Sequence, residues 1–275
     1  MNFPAVMMFL VVVAISLGIT HWAAKQTRSR SQFYTAGGGL SGFKNGAAFT
    51  GEFLSAATFL GITGIYFTVG YDGIIYSIGA AMGWPVLVFL LSDKLKSMGR
   101  YTLTDVLTYR LNEPSLRIFS ASATVVILVL YMVAQLVGAG LLIEFLFGVD
   151  FVWSLFIIGA LMVIYVVFGG MVATTWVQIV KAGLLWLLGL ALAIGVLANF
   201  DFSVEELVLA AIEKHPEGER IFETSAFTSV WAAISAALTQ AVGIAGLPHF
   251  IMRFFTVPNV IEARRSAAWA TALIS

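Results

Sequence analysis

Long apolar runs separated by short polar segments dominate the pattern of this chain. Seven runs fall within or above the roughly 17–25 residues that a transmembrane helix needs. They predict spans over 4–24, 44–69, 74–91, 118–147, 152–168, 173–197 and 226–250. The apolar run 267–275 is under half of a crossing and predicts the beginning of an eighth helix, within which the chain ends.

Positive charge is distributed unevenly between the segments that separate the spans. Basic residues follow the first span in 25–30 and the third span in 93–100. Of the 15 Lys and Arg residues, only Lys214 and Arg220 fall on the opposite side. Because Lys and Arg concentrate in cytoplasmic loops, we predict an exterior N-terminus and place Arg253 in the cytoplasm. A cleaved signal peptide is disfavoured, since no basic residue precedes the first run.

Other polar segments carry local signals. Pro85 should kink the third span, because proline lacks the N–H that continues a helix, and the glycine pair 169–170 should end the fifth span. The segment 101–110 predicts a short interfacial helix, with Thr102 as its N-cap and Asp105 near its positive end. The acidic segment 199–225 is predicted to be an exterior, solvated loop rather than a funnel for ions.

Composition supports a polytopic membrane protein. Of all residues, 60% are hydrophobic and 11% are charged, and the mean hydropathy is +0.94. Soluble domains average about 45–50% apolar and about 25% charged residues. The absence of Cys excludes thiol chemistry and disulfides. The three His residues form no HExxH pattern, and the sequence contains neither a P-loop nor a Rossmann glycine motif. We therefore predict no enzyme, no cofactor and no nucleic-acid partner.

A carboxylate lies within the second span. Glu52 is in the middle of the apolar stretch 45–64, with Gly51 before it and Ser55 and Thr58 after it. A charge at the bilayer centre costs roughly 2.5–3.5 kcal/mol on insertion scales, so it usually faces a protein interior. Glycine weakens a helix by about 1 kcal/mol relative to alanine, and unwinding here would free carbonyls for a small cation. The alternative is an ordinary helix with small packing residues and one tolerated acid.

A second interruption is predicted in the seventh span. The segment 243–249 contains two glycines and Pro248, and proline cannot supply the N–H that would pair with residue 244. Two interrupted helices, separated by four continuous spans, are typical of secondary transporters built from inverted repeats. If each repeat has five helices, each interrupted helix opens one repeat.

Six short runs resemble the sodium:solute symporter family, most closely its cation/acetate symporter branch. They are 33–38 (FYTAGG), 54–61 (LSAATFLG), 71–77 (YDGIIYS), 99–102 (GRYT), 169–178 (GGMVATTWVQ) and 246–255 (GLPHFIMRFF). The resemblance implies an all-α membrane protein with a five-plus-five inverted-repeat, LeuT-like core and one extra leading helix. The leading helix is then 4–24, the first repeat 44–197, and the second repeat begins within 226–275.

The resemblance also implies a sodium site between the first and eighth helices of the core. By position, the backbone carbonyls of Gly51 and Leu54 are the ligands from the first helix, and hydroxyl groups of the eighth helix complete the set. Glu52 falls where close relatives tend to carry Asp, and we include it in the cation site. Its longer side chain leaves its exact role open.

The substrate pocket implied by the resemblance lies between the two interrupted helices. It contains Ser55 and Thr58 on one side and the break from Gly246 to His249 on the other. An anionic solute would bind at the N-termini of the half-helices, where the helix dipole is positive.

These observations predict sodium-coupled symport of a small monocarboxylate such as acetate, by a multi-pass protein of the inner (plasma) membrane. Na⁺ is the coupling ion, and the solute, Na⁺ and the lipid bilayer are the expected partners. One alternative is a solute-sensing membrane domain of a histidine kinase. Another is an inactive remnant: since the chain ends early in the second repeat, we expect it not to carry out coupled transport alone.

Overall fold

The computed structural model describes residues 3–98, 101–109, 111, 113–223 and 226–274, and this part of the chain is helical and contains no strand. The first seven α-helices are α1 Phe3–Gln26, α2 Arg30–Thr35, α3 Gly42–Phe53, α4 Ala56–Val69, α5 Gly73–Val86, α6 Ser92–Met98 and α7 Leu103–Leu107. The others are α8 Pro114–Phe147, α9 Phe151–Ala198, α10 Val204–Lys214, α11 Val230–Gly246, α12 Pro248–Arg253 and α13 Val260–Ile274. Arg100 and Arg110 of the predicted polar segments and the last residue, Ser275, lie outside the described residues.

Four helical stretches of the described chain are long and apolar enough to cross a membrane. They are Phe3–Gln26, Ala56–Met98, Pro114–Phe147 and Phe151–Ala198. Two of these stretches contain a glycine with positive φ, Gly70 (56°) and Gly170 (55°). Each of these two stretches therefore covers two predicted spans, which are separated by a turn at Gly70 in one stretch and at Gly170 in the other.

The turn at Gly170 needs glycine for two reasons. Its φ of 55° is rarely adopted by other residues. In addition, a Cβ on Gly170 would lie 2.8 Å from the Phe33 ring and 3.0 Å from the Phe33 carbonyl oxygen. Phe33 belongs to α2, whose N-terminus is closed by a capping box between Ser29 and Gln32. The run 33–38, which carries glycines before the second span, thus begins within a short helix packed against α9.

Pro85 changes the type of helix rather than ending it. The α-helix α5 runs through Pro85 to Val86, and a π-helical turn then covers Leu87–Leu91 before α6 begins. Proline removes one backbone donor and crowds the carbonyl four residues before it, and a π-turn absorbs such a mismatch within a continuous helix. This turn stands where the sequence predicts a kink.

The predicted capping of the short polar helix is confirmed. The Thr102 hydroxyl accepts a hydrogen bond from the Asp105 N–H (3.3 Å), and the Asp105 carboxylate accepts one from the Thr102 N–H (3.0 Å). The helix α7 is shorter than expected, because Thr108 already closes it.

Each interrupted helix packs against the helix that follows the other interrupted helix, and glycines spaced four residues apart lie at both contacts. On α3, a Cβ on Gly46 would lie 2.5 Å from the Cβ of Trp269 on α13. On α5, a Cβ on Gly83 would lie 2.7 Å from the Cβ of Ile244 on α11. Gly42 and Gly79 precede these glycines by four residues, the small-xxx-small spacing that lets helices approach closely. Each contact joins an interrupted helix to the helix that follows the other one, as inverted repeats require.

An aromatic core lies beside the two breaks. Phe49 of α3, Trp84 of α5 and Phe250 of α12 are each at most 1% exposed. The ring of Trp84 lies 5.5 Å from that of Phe49 and 5.3 Å from that of Phe250. Such ring pairs contribute stability beyond the area that they bury, so this core holds α3 and α12 in a fixed relation on the apolar side of the site.

The described part of the acidic segment is largely helical, so the prediction of a loop is wrong there, although its glutamates are exposed as expected. Residues 204–223, which we call the docked segment, form α10 and a 3₁₀ turn, Gly218–Phe222. The His215 Nε2 lies 2.7 Å from the Phe67 carbonyl oxygen. A Cβ on Gly70 would overlap the Ile221 carbonyl. Directly after the segment, the Ala226 N–H donates to the buried Asp72 carboxylate (2.7 Å).

The orientation predicted from charge places Arg30 and Glu217 on opposite sides of the membrane. Arg30 begins α2, and Glu217 lies in the docked segment. We expect a reporter fused after Arg30 to be active on the cytoplasmic side and one fused after Glu217 to be active outside, because the basic segments remain in the cytoplasm. Paired phosphatase and fluorescent-protein fusions measure this, and activity of both sites on the same side contradicts the predicted topology.

Candidate functional site

The first break lies between α3 and α4. Leu54 has φ −71° and ψ 69°, and the Ser55 N–H donates to the Phe53 carbonyl at 2.7 Å. This is the geometry of an inverse γ-turn. It takes the Ser55 N–H away from the Gly51 carbonyl, its partner in a continuous α-helix. The predicted interruption is confirmed, although it follows Glu52 by two residues instead of lying at Gly51 and Glu52.

Gly51 has the packing role that the alternative interpretation of this stretch gave to its small residues. It is helical, and it packs against the backbone of α9. A Cβ at this position would overlap the carbonyl oxygen of Gln178 and lie 2.7 Å from its carbonyl carbon. The glycine is therefore needed for the close approach of two helices, and our expectation that it unwinds the helix was wrong.

The second break lies between α11 and α12. α11 ends at Gly246, Leu247 is extended (φ −66°, ψ 122°), and Pro248 is the first residue of α12. A residue before proline avoids the helical region, and proline suits the first helical position, where its missing N–H has no partner to lose. The interruption predicted over 243–248 is confirmed and is confined to Leu247, since Gly243 lies within α11.

A polar cluster closes the beginning of α4. The Ser55 hydroxyl accepts a hydrogen bond from the Gln135 side-chain amide (2.9 Å) and lies 3.4 Å from the Thr58 hydroxyl. The Gln135 oxygen in turn accepts the Ala57 N–H at 3.4 Å. The first N–H groups of a helix have no partner within it, so α8 supplies a side chain to this end. Gln135 was not among the site residues that we predicted from the sequence.

His249 stands at the other side of this cluster. Its ring lies 4.6 Å from the Tyr131 ring and 4.4 Å from the Phe250 ring. Tyr131 lies one helical turn before Gln135 on α8, so the two side chains lie on the same face of that helix. Both ring nitrogens of His249 are buried and have no hydrogen-bond partner in the described part of the chain. Buried polar atoms without partners are uncommon in folded proteins, and these nitrogens are candidates for contact with a ligand.

The structure thus brings three of the predicted substrate residues to one face of α8. Ser55 and Thr58 come from the first break and His249 from the second. Gly246 lies beside the second break, and a Cβ there would meet no atom within 4 Å. Tyr131 and Gln135, which join the two sides, were missed as site residues because only the packing of α8 places them there.

A buried ion pair joins the two interrupted helices. The Arg253 Nε donates to the Glu52 carboxylate, and its Nη1 donates to the Thr175 hydroxyl of α9 at 3.1 Å. Arg253 is 2% exposed and Glu52 is 18% exposed. We expected Arg253 to be a charge of the polar segment that follows the seventh span. The side of the membrane stays a prediction, but the Arg253 side chain is buried in the protein and not exposed in a loop.

A buried amide fixes the backbone beside this ion pair. Asn45 is fully buried, and its side-chain nitrogen donates to the Arg253 carbonyl (3.0 Å) and to the Ser266 hydroxyl (3.2 Å). Its oxygen accepts a hydrogen bond from the Thr256 hydroxyl at 2.9 Å. Asn45 precedes Glu52 by two helical turns, so both residues lie on the same face of α3. In the sequence, the position of Asn45 on the same helical face as Glu52, within an apolar run, was the signal that could have indicated this buried amide.

A comparison with known proteins identifies the family. The model of the sodium:solute symporter family matches residues 33–275. The chain belongs to this family. The match begins after α1, which ends at Gln26. Sodium:solute symporters are transporters, so the prediction that the protein is not an enzyme is confirmed.

A solved structure shows the same fold in a symporter. The chain is similar to a Na⁺-coupled sialic acid symporter in a substrate-bound, outward-open state, with a TM-score of 0.77 and 18% sequence identity. The likeness covers 96% of this chain and 56% of that protein, so the chain spans just over half the length of this relative. The predicted all-α, LeuT-like fold of this sodium:solute symporter family chain is confirmed.

Proposed function

We propose that this chain takes part in sodium-coupled symport of a small monocarboxylate such as acetate. The family and the fold support a sodium-coupled solute symporter. The observation that carries the finer proposal is that α8 contacts both breaks: its Gln135 binds the Ser55 hydroxyl of the first break, and its Tyr131 packs against the His249 ring of the second. As in the orientation proposed above, the protein would lie in the inner (plasma) membrane with its N-terminus outside.

The proposed sodium site uses the last turn of α3. The γ-turn at Leu54 ends the regular hydrogen bonding of the helix and withdraws the donor that would otherwise occupy the Gly51 carbonyl. Carbonyls freed at an unwound helix are the ligands that transporters of this architecture offer to Na⁺. The carbonyls of Gly51 and Leu54 and the carboxylate of Glu52 are all within four residues of one another, and all are oxygen donors.

The proposed solute site suits one carboxylate with a small apolar tail. The N-terminus of α4 carries a partial positive charge that favours an anion, and Ser55 and Thr58 add hydroxyl donors beside it. The unpartnered nitrogens of His249 supply a further polar contact. The Tyr131 ring, which packs against His249, provides an apolar surface for a methyl group.

The test is sodium-dependent uptake of labelled acetate in the membrane in which the protein is made. Any chain that completes the second repeat is present there, whereas residues 1–275 alone are not expected to transport. We expect a sodium gradient to drive uptake and an equal potassium gradient not to drive it. Ser55→Ala should raise the KM for acetate by about 10-fold or more, because a hydrogen bond to a charged group contributes roughly 1.5–3 kcal/mol.

Thr63→Ala is the matched control for this experiment. Thr63 lies on the same helix and bonds to the Phe59 carbonyl of its own helix (2.7 Å), so removing its hydroxyl should leave KM unchanged. Equal uptake with sodium and potassium contradicts the proposed coupling ion. An unchanged KM in Ser55→Ala contradicts the proposed position of the solute.

A further inference from the structure

The ion pair between Glu52 and Arg253 lies where the proposed sodium site lies. Glu52 is one residue from Gly51 and two residues from Leu54, whose carbonyls are the other proposed ligands. The Arg253 guanidinium already binds an oxygen of the Glu52 carboxylate. A guanidinium and a sodium ion are both monovalent cations that need this carboxylate. In the described part of the chain, the Arg253 guanidinium has no hydrogen bond to a second carboxylate.

The surroundings of Arg253 hold its backbone but not the far end of its side chain. Its carbonyl oxygen accepts hydrogen bonds from the Asn45 amide (3.0 Å) and from the Thr256 hydroxyl (2.7 Å). Its guanidinium has only one other described partner, the Thr175 hydroxyl (3.1 Å). The guanidinium can therefore leave Glu52 by rotation of the side chain, while α12 stays in place and Thr175 keeps the charge nearby.

We propose that the Arg253 guanidinium is an internal competitor for sodium at Glu52: it neutralises the carboxylate when sodium is absent, and sodium displaces it. This inference rests on the proposed sodium site at the first break. Because the two binding events exclude each other at one carboxylate, sodium binding breaks the ion pair between α3 and α12. By the reciprocity of coupling, the ion pair lowers the affinity for sodium by the same factor by which sodium weakens the ion pair. Arg253 thereby links occupancy of the cation site to the contact between the two interrupted helices.

The test is equilibrium binding of radioactive sodium to nanodiscs formed directly from the membrane in which the protein is made, so that any chain supplying the hydroxyl groups of the eighth core helix is retained. Arg253→Gln should bind sodium about tenfold more tightly than wild type, within the usual range of coupling between sites. Arg253→Lys should bind a few-fold more tightly than wild type, because an ammonium lacks the planar fork of donors that holds a carboxylate. Glu52→Gln should lose most of the binding. Arg264→Gln is the matched control, since it breaks an exposed pair with Asp93 and should change nothing.

The outcomes separate this inference from the function on which it rests. Sodium binding in folded Arg253→Gln that equals or falls below wild type overturns the competition and leaves the sodium site intact. If Arg253→Gln does not fold, Arg253→Lys decides by the same comparison. Binding that appears only in the Arg253 variants supports a competitor that dominates in wild type. Absence of binding in wild type and in both variants overturns the sodium site and the competition together, whatever acetate uptake shows.

Discussion

Gly51→Ala is expected to destabilise the folded chain by about 3 kcal/mol, at the upper end of the usual cost of overpacking. The added methyl group would overlap the Gln178 carbonyl oxygen and lie 2.7 Å from its carbon. Both partners are helix backbone, so no side-chain rotation relieves the collision, and α3 and α9 must separate. The loss is measurable as a lower denaturation midpoint of the purified protein, followed by tryptophan fluorescence.

Gly61→Ala is the matched control on the neighbouring helix. Gly61 lies within α4, and a Cβ there would meet no atom within 4 Å. Alanine favours the helix over glycine by about 1 kcal/mol, so this variant should be as stable as wild type or slightly more stable. Similar destabilisation by both substitutions would mean that the contact with Gln178 is not what requires glycine at position 51.

Removal of one partner of the buried ion pair is expected to have the second large effect. Arg253→Gln leaves the Glu52 carboxylate without its counter-charge, and breaking a buried pair in this way typically costs about 3–5 kcal/mol. The double variant Glu52→Gln with Arg253→Gln leaves no unpaired charge and should recover most of that loss. Denaturation midpoints of the two single variants and the double variant, analysed as a double-mutant cycle, measure the recovery.

The pair between Asp93 and Arg264 provides the comparison for this cycle. Its side chains are 38% and 62% exposed, and exposed pairs contribute about 0–1 kcal/mol. The same cycle at these two residues should therefore show little coupling. A double variant at Glu52 and Arg253 that is no more stable than Arg253→Gln alone would contradict the expected role of the unpaired carboxylate.

The helices and the two breaks were predictable because their signals are local. Apolar length indicates spans, and the proline at position 248 excludes an ordinary helix there whatever surrounds it. The exact place of the first break was not predictable from glycine alone. Gly51 is required by the approach of α9, a contact between residues far apart in sequence. The break itself lies at Leu54, where Ser55 caps the next helix.

The ion pair shows the limit of sequence reasoning at the site. Glu52 and Arg253 are 201 residues apart, and no local pattern pairs them. The positive-inside rule concerns the side of the membrane on which loop charges lie, so it gave no sign that α12 buries the Arg253 side chain. Ser55, Thr58 and His249 were identified by type and position, whereas Tyr131 and Gln135 entered the site only through the packing of α8.

In the acidic segment, by contrast, a usable signal was overlooked. Ser203 is followed three residues later by Glu206, the spacing of a capping box, and the Ser203 hydroxyl accepts the Glu206 N–H at 3.2 Å. Apolar residues recur at positions 204, 207, 208 and 211, the spacing of an amphipathic helix. The count of glutamates favoured a solvated loop, but the order of the residues already favoured α10.

The docked segment also determines how the protein meets proteases. In a free loop, the glutamates of the docked segment would be easy targets for a glutamate-specific endopeptidase, because loop tips are preferred sites of nicking. Here His215 and Ile221 hold the segment against the turn between α4 and α5, and Ala226 anchors the chain just beyond it. Cleavage therefore requires the docked segment to detach locally from the turn between α4 and α5. The rate of cleavage then reports how often the segment detaches.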